Sequence, residues 1–437
     1  MAFDDNEMEQ RRKLREEQRQ RLLRQQKQLR IRLGIAAAVL IACTVLIVVV
    51  SRRSAAAPDE GKQQTAPTQW GIPEPEDIET QPTEESLGQT VVNIAFAGDL
   101  NINDAVVNAC TGDYNYTRVF RDVLPQLSDA DLTVVNFEGN VSGAPYGSET
   151  SSAPKELLDA LVRAGVDMLQ VANSCAISNG MIGLQATLQA MENAGLEPIG
   201  AYASVSDAKK SGGYTIREVN GVRIAFVAFT KGMDSMALPE GSERCVNLLY
   251  KDYASNYQQV NYDGIRSIMR AASRERPDVT IVLLHWGSEY NDTLSRTQQS
   301  IMELIYDEGA DAIIGTHPHY VQTMEFDEDK GRFTCYSLGD FLNEGTRTGT
   351  DYSVILNLEI SKDNDTDATR ITGFSYTPIY TVAEKGTLKV VRLEEAIEAY
   401  NQNNLDAVNA KTFANMEYGL GRIEDRIHNP MEVVGAS

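Results

Sequence analysis

The sequence predicts an α/β fold with mixed sheets. From residue 91 onward, short aliphatic runs alternate with segments of helical periodicity, a pattern typical of buried strands joined by helices. Residues 214–230 carry a hairpin signal with Asn220-Gly221 at the turn, so part of the sheet is expected to be antiparallel. Three of the four histidines lie in two short motifs that directly follow apolar runs, which places candidate functional groups at the ends of strands.

Besides the hairpin, seven runs that end at small or polar residues are predicted as strands. They are VVNIAFAG (91–98), DLTVVNF (131–137), VDMLQVAN (166–173), IVLLHWG (281–287), ADAIIGTH (310–317), YSVILNLEI (352–360) and GFSYTPIYTV (373–382). Helices are predicted at residues 117–127, 154–164, 181–194, 263–272, 296–308 and 393–401. Four apolar residues of the third helix are expected to lie near one face: Ile182, Leu184, Leu188 and Met191. Gly195 is expected to cap its carboxyl end.

The first 90 residues are predicted to precede the folded domain. Residues 33–50 form an uncharged run of 18 residues, just long enough to cross a bilayer as a transmembrane helix. Segment 1–32 is basic, with ten Lys and Arg among residues 11–32, so it is expected in the cytoplasm and in contact with anionic lipid. Residues 51–90 are rich in Pro, Glu, Thr and Gln and are predicted to be a disordered extracytoplasmic linker.

These features predict a single-pass protein of the cell membrane, with a retained signal anchor, a cytoplasmic N-terminus and an extracytoplasmic C-terminal domain. A cleaved signal peptide is the alternative, because Ala55-Ala56-Ala57 imitates a cleavage site. The apolar run is longer than a usual signal sequence, however, and Arg52 and Arg53 separate it from the alanines.

The residues after position 53 are strongly acidic, with 28 Lys and Arg against 56 Asp and Glu. Such a body repels phosphate backbones, so nucleic acid is excluded as a partner. The same charge is compatible with divalent cations.

Polar residues close the first two predicted strands. Asp99 ends the first, where a carboxylate can bind metal or cap the next helix. Asn136 and Glu138 end the second, and alternation directs both to one side with Phe137 opposite. Two polar groups at the end of a buried strand favour a functional role.

The third strand ends in Ala172-Asn173-Ser174-Cys175. Asn173 is interpreted either as a ligand for metal or substrate or as a turn residue. Because Cys175 has no basic neighbour in sequence to lower its pKa, an apolar filler or a disulfide half is favoured over a thiolate ligand. Spacing selects no pairing among the four cysteines outside the predicted span, which are Cys110, Cys175, Cys245 and Cys335.

Three histidines supply the most specific motifs. His285 ends an apolar strand, and the Gly and acidic residue that follow suit a site loop. In His317-Pro318-His319 the proline fixes φ between two imidazoles, giving two nitrogen ligands on a stiff turn. Asp340 ends a further strand in a glycine turn, where it either lines the same pocket or belongs to a plain turn.

The order of these motifs closely resembles the poly-gamma-glutamate capsule-synthesis protein family of the CapA type, over roughly residues 93–343. The segments that carry the resemblance are GDLN, DLTVVNFEG, VDMLQVANSCAISNGMIGLQATLQAMENAGLEPIGA, LLHWGSEY, GADAIIGTHPHYVQ and YSLGDF. The resemblance implies a metallophosphoesterase-like four-layer α/β/β/α sandwich at residues 91–345, completed by strands and helices at 346–437. It also implies a membrane-anchored role in capsule or poly-gamma-glutamate synthesis, retention or export, with membrane-bound synthase subunits as partners.

The resemblance further implies a site for a divalent metal (Mn, Zn or Mg) at strand ends. Its expected ligands are Asp99, Glu138, His317 and His319. The other expected site residues are the catalytic pair His285 and Asn173, and the substrate-binding pair Asn136 and Asp340.

The chain departs from the family pattern at the third motif. The family has Ala-Asn-Asn-His followed by Asp-Tyr-Gly, whereas this chain has cysteine at 175 and serine at 178. Losing the imidazole removes a proton donor, and general acid catalysis is worth about 10²–10⁴-fold. Asp340 replaces the family's asparagine in the last motif.

Two hypotheses follow from this departure. In the first, the chain binds an anionic capsule polymer or its intermediate in the inherited crevice with little turnover. In the second, it is an active metal-dependent hydrolase of the cell envelope that acts on a phosphoester or an amide. A purely structural surface role leaves the polar residues at the strand ends unexplained.

Overall fold

The computed structural model describes residues 88–384, 386–403 and 408–434. The predicted basic segment, transmembrane helix and all but the last three residues of the linker lie outside the described residues. The first strand begins at Gln89, two residues before the predicted start of the domain. Across the described ranges, every helix is too short or too polar to cross a membrane.

Sixteen strands, numbered in chain order, are present among the described residues. They are β1 (Gln89–Asn101), β2 (Leu132–Glu138), β3 (Met168–Gln170), β4 (Glu197–Ile199), β5 (Thr215–Val219), β6 (Val222–Thr230), β7 (Val279–His285), β8 (Leu294–Ser295), β9 (Ala312–Thr316), β10 (Met324–Asp327), β11 (Arg332–Cys335), β12 (Asp340–Leu342), β13 (Tyr352–Asp363), β14 (Thr369–Glu384), β15 (Thr387–Arg392) and β16 (Val433–Val434).

Nine α-helices lie in the same part of the chain. They are α1 (Asp104–Asn108), α2 (Leu124–Ser128), α3 (Glu156–Ala164), α4 (Gly180–Ala194), α5 (Val205–Ser211), α6 (Tyr262–Arg274), α7 (Arg296–Asp307), α8 (Leu393–Asn401) and α9 (Ala410–His428).

Two helix predictions were wrong in part. The helix expected at 117–127 is instead two 3₁₀ turns followed by α2, which starts at Leu124. Pro125 lacks an N–H and fits only the first turn of a helix, so a new helix starts there. In α4, Ile182 is 82% exposed, because two residues turn a helix by about 200° and carry it away from the face of Leu184.

The strands form two large mixed sheets, which confirms the predicted α/β class. The eight-stranded sheet has the order β15-β14-β13-β1-β2-β3-β4, with β12 pairing to β1 outside this path. Its β1–β4 half is parallel and its β13–β15 half is antiparallel. The six-stranded sheet has the order β10-β11-β9-β7-β6-β5. It contains the predicted hairpin as the antiparallel pair β5–β6.

Alternation along β6 assigns its two faces to different cores. Phe226 and Ala228 belong to the core that also contains the residues of the eight-stranded sheet. Val227 and Phe229 pack on the other side, with the apolar faces of α6 and α7. One face of the six-stranded sheet therefore contacts the other sheet and the opposite face contacts helices.

The parallel registers bring the predicted polar residues to common sheet edges. Asp99 of β1 is opposite Asn136 of β2, and Asn101 is opposite Glu138. In the other sheet His285 of β7 is opposite Thr316 of β9, directly before the His317 turn. Because parallel strands end at one edge, residues far apart in sequence become neighbours.

The contact between β1 and the segment before β12 tests this arrangement. A Cβ added at Gly98 would lie 1.8 Å from the Gly339 carbonyl oxygen, so Gly98→Ala forces the backbone apart. We expect the free energy of unfolding to fall by about 1–3 kcal/mol, measured by urea denaturation.

Gly373→Ala in β14 is the matched control, because its added Cβ meets no atom within 4 Å. Its expected effect is within about 0.5 kcal/mol. Equal losses in the two variants would contradict the close approach at Gly98.

Candidate metal centre

Five polar side chains from both sheets meet where the parallel strands end. We call this group the strand-end cluster: Asp99, Glu138, His285, His317 and His319. Two triads within it, Glu138–His285–His317 and Asp99–Glu138–His319, each have candidate ligand atoms within 4.8 Å of one another. A third triad adds Glu289 to His317 and His319. All five members are buried.

Burial raises the pKa values of the two carboxyl groups in the cluster. Desolvation, together with the charge of Glu138, raises the pKa of Asp99 to about 7. Desolvation likewise raises the pKa of Glu138 to about 7. Two buried carboxylates resist ionising together unless a cation compensates their charge.

Two of the histidines are held in the neutral form. Burial lowers the pKa of His285 to about 4 and the pKa of His317 well below its ordinary value. Neutral imidazole is the form that binds metal ions. His285 and His317 also lie ring to ring, with centroids 4.5 Å apart.

The pKa of His319 shifts in the opposite direction to the pKa values of His285 and His317. Burial alone would lower the pKa of His319, but the carboxylates of Asp340 (2.7 Å from Nδ1), Glu138 and Asp99 together outweigh burial and raise that pKa to about 11. A carboxylate on one ring nitrogen fixes the orientation of the imidazole and leaves the other nitrogen for a metal. Metal binding at that nitrogen displaces its proton.

The strongest sign of a cation site is a set of buried polar atoms without partners. Within the described residues, neither ring nitrogen of His317 has a hydrogen-bond partner, and the same holds for Oε2 of Glu138. Buried polar atoms are normally paired, because leaving one unpaired costs about 1–3 kcal/mol. The mixed nitrogen and oxygen donors fit a divalent metal such as Mn²⁺ or Zn²⁺.

The histidine turn itself is strained. His317 has a φ of 96° and His319 a φ of 59°, in the left-handed region that non-glycine residues rarely adopt. The turn is held by the His317 N–H, which donates to Asp99 Oδ2 at 3.0 Å, and by the Tyr290 N–H, which donates to the Pro318 carbonyl at 2.9 Å. Strain of this kind collects at functional sites.

Asp340 lies behind His319. Its carboxylate accepts hydrogen bonds from His319 Nδ1, from Asn101 Nδ2 at 3.0 Å and from Asn343 Nδ2 at 2.5 Å. With these acceptors in use and the side chain 1% exposed, the geometry favours a role in positioning His319 over the substrate contact suggested by sequence.

Asn136 and Asn173 support the strand-end cluster through hydrogen bonds. The Asn136 amide donates to Asp99 Oδ1 at 2.5 Å and lies 3.4 Å from His285 Nδ1. Asn173 donates to Asn136 Oδ1 at 3.0 Å and to the Phe137 carbonyl at 2.8 Å, while its own Oδ1 accepts the Cys175 N–H. The Asn173 side chain is fully buried, so it orients Asn136 and the turn; no contact with substrate is needed to explain it.

Ser174 is the residue of this turn that faces the cluster, although no sequence motif predicted a role for it. Its hydroxyl lies 2.9 Å from His285 Nε2, and Glu138 Oε1 lies 3.3 Å from the same nitrogen. His285 Nδ1 faces Thr316 Oγ1 at 3.2 Å. The only available signal was adjacency to Asn173, because the direction of a side chain in an irregular turn depends on backbone angles that the sequence does not give.

Cys175 contributes no ligand atom to any candidate metal group in the described part of the chain. Burial raises the pKa of its thiol further above the ordinary value, so a thiolate is disfavoured. The disulfide alternative is not realised either, since Cys110, Cys175, Cys245 and Cys335 are all free.

A cavity of about 300 Å³ opens beside His317 and Ser174. Most of its walls come from the loops after β6 and β7, which carry none of the motifs that the sequence made recognisable. The other lining residues are Lys231, Gly232, Asp234, Ser235, Tyr257, Ser288 and Glu289.

Removing one imidazole tests the metal assignment. His317→Ala deletes both unpartnered nitrogens, so we expect the affinity for Mn²⁺, measured by isothermal titration calorimetry, to fall at least about tenfold. His428→Ala is the control, because His428 is exposed on α9. Equal Mn²⁺ affinities in the wild type and His317→Ala would disprove the site.

A neighbouring pair of variants tests which residue of the altered turn matters. Ser174→Ala removes the hydroxyl that contacts His285, and we expect Mn²⁺ affinity to fall by about tenfold. Cys175→Ala should leave it unchanged. A loss of Mn²⁺ affinity in Cys175→Ala but not in Ser174→Ala would mean that the Cys175 thiol, and not the Ser174 hydroxyl, faces the cluster.

Comparisons with known proteins agree with the motif order. The chain is 30% identical over 270 residues to the capsule biosynthesis protein CapA of Bacillus anthracis, covering 60% of this chain and 61% of that protein. It thus spans about three fifths of that relative's length. It is 27% identical over 297 residues to the PGA biosynthesis protein CapA of Bacillus subtilis (strain 168), covering 64% and 71%.

Among solved structures, one match is a protein described as a novel phosphatase from Mycoplasma pneumoniae. It is 16% identical, with a TM-score of 0.41, and the match covers 67% of this chain and 94% of that one. The model of the bacterial capsule synthesis protein family PGA_cap matches residues 93–345. Since this match includes more than half of the chain and every member of the strand-end cluster, the protein belongs to the PGA_cap family of bacterial capsule synthesis proteins.

Proposed function

We propose that the protein is a membrane-anchored, extracytoplasmic component of capsule poly-gamma-glutamate synthesis or export. In this proposal the strand-end cluster and its cavity bind the acidic polymer or an intermediate with little turnover, within a four-layer metallophosphoesterase-like arrangement. Family membership and the two capsule-related relatives support the pathway. The apolar segment 33–50 and the basic residues before it support the anchor.

One observation carries the binding role. His317 is buried at the centre of the cluster with no partner for either ring nitrogen among the described residues. A chain that no longer used the site would be expected to fill such a position with an apolar side chain, since the unpaired imidazole is costly. These unpaired nitrogens therefore support the proposal that the site binds a ligand.

The residues present define how a divalent ion would be used. Asp99, Glu138, His317 and His319 would hold it, with His285 beside them. When bound, the ion supplies a positive charge that attracts and polarises oxygen atoms. Asn136 and Asp340 fix the ligands in place, and the cavity beside His317 gives the bound molecule its entrance.

An active metal-dependent hydrolase is the second candidate. The complete ligand set favours it, and so does His285, whose neutral imidazole lies 2.9 Å from the Ser174 hydroxyl. The altered turn weighs against it. With cysteine at 175 and a raised thiol pKa, the turn presents no group that readily donates or accepts a proton near neutral pH.

The anchor implies partners in the same membrane. We propose that the N-terminal basic segment lies in the cytoplasm and that the described domain works outside it, next to membrane-bound synthase subunits. The acidic surface leaves no role for nucleic acid.

Turnover assays separate the two candidates. The full chain, supplied with Mn²⁺, is offered bis(p-nitrophenyl) phosphate and poly-gamma-glutamate, with product release and polymer length as readouts. We expect polymer binding with negligible hydrolysis, because the turn lacks a proton donor.

His317→Ala is the control for contamination and for metal dependence. Robust hydrolysis in the wild type that disappears in His317→Ala would establish the hydrolase instead. Absence of both binding and hydrolysis would contradict both candidates.

A further inference from the structure

Lys231 is a cation at the inner wall of the cavity beside the strand-end cluster. It follows β6 directly and is half-buried. Its ammonium donates to the Gly287 carbonyl at 2.7 Å and lies 4.6 Å from the centroid of the Tyr257 ring. Both contacts fix the side chain in one position, and neither neutralises its charge.

Among the described residues Lys231 forms no direct ion pair, although the carboxylates of Glu289 and Asp234 on the same cavity attract its charge. An ammonium group has three N–H donors, and the Gly287 carbonyl takes one. A half-buried lysine without a direct ion pair costs free energy, and this one lies beside a cluster whose side chains suit a cation. The arrangement is explained when an anion completes it.

Two other charged residues line the cavity, and they differ from Lys231 in exposure. Asp234 and Glu289 are both exposed, so solvent screens their charges. Lys231, Ser174 and His317 form the less exposed inner end. A bound anion at that end would lie between Lys231 and any ion in the cluster. The carboxylate of Glu289 lies within 4.8 Å of ring nitrogens of His317 and His319, so it would pair with that ion, while Asp234 stays exposed to solvent.

The cavity wall is also strained. Asp234 (φ 46°), Ser235 (φ 63°), Tyr257 (φ 55°) and His317 (φ 96°) all have left-handed backbone conformations. Each such residue costs about 1–3 kcal/mol, and strain of this kind concentrates at ligand sites. The hydroxyls of Ser235 and Ser288 line the same space and add hydrogen-bond donors suited to an anion.

We propose that this cavity is an oxyanion subsite in which Lys231 pairs with a carboxylate of a γ-linked glutamyl chain whose adjoining group lies at the strand-end cluster. The inference rests on the proposed function and deepens it by naming the residue that recognises the acidic ligand. A phosphate group offers the same oxyanion chemistry, so the test includes both sources.

The test measures binding to the full-length protein in the presence of Mn²⁺ by isothermal titration calorimetry. The probes are tri-γ-glutamate, the same oligomer with its α-carboxyls amidated, and inorganic phosphate. We expect Lys231→Gln to weaken tri-γ-glutamate binding by about ten- to a hundredfold, as for loss of a charged hydrogen bond. Lys231→Arg should restore most of the affinity.

Two controls isolate the charge of Lys231. Lys330→Gln removes an exposed lysine that pairs with Asp327 on the β10–β11 turn, and it should bind like the wild type. Mn²⁺ affinity should not fall in Lys231→Gln, since the variant removes a positive charge near the ion. The amidated oligomer should bind the wild type more weakly than tri-γ-glutamate does, by a factor similar to that expected for Lys231→Gln. This comparison leaves the protein unchanged.

The outcomes separate this inference from the proposed function. Equal tri-γ-glutamate affinity in the wild type and Lys231→Gln, or undiminished binding of the amidated oligomer, would overturn the subsite and leave polymer binding intact. Phosphate binding that depends on Lys231, without oligomer binding, would support an oxyanion subsite and overturn its assignment to a glutamyl carboxylate. No binding of any probe would overturn both proposals.

Discussion

Charge compensation at the junction of the two sheets is the constraint on which the rest of the structure depends. Asp99 and Glu138 come from one sheet and His285, His317 and His319 from the other, and all five are buried. Burial makes the carboxylates resist ionisation and makes His285 and His317 resist protonation. The network of Asn136, Asn173 and Asp340 holds these groups in ligand geometry, and a divalent cation is the simplest species that balances them.

Much of this site could be predicted because its members end regular strands. Glu138 and His285 follow apolar runs, and parallel strands necessarily finish at one edge. Pro318 made the two neighbouring imidazoles recognisable from their spacing alone. The same regularity located the hairpin and most of the helices, including α8 at its observed bounds.

The features of the site that could not be predicted from the sequence depend on irregular backbone. Ser174 and Cys175 are adjacent, and only the φ and ψ angles of the turn decide which of them faces His285. Lys231 enters the cavity because Gly287 and Tyr257, distant in sequence, fix its side chain. Asp340 was expected to face a substrate, but its contact with His319 depends on how β12 pairs with β1. The helix α9 was not predicted, and it contains two glycines, Gly419 and Gly421, which are poor helix formers.

The origin of the ligands in two different sheets has a further consequence. An ion held by Asp99 and His319 would cross-link β1 of one sheet to the segment after β9 of the other sheet. Metal binding and the stability of the packing between the two sheets would then be linked: the domain would resist proteases best with metal bound, and loss of the metal would favour its degradation.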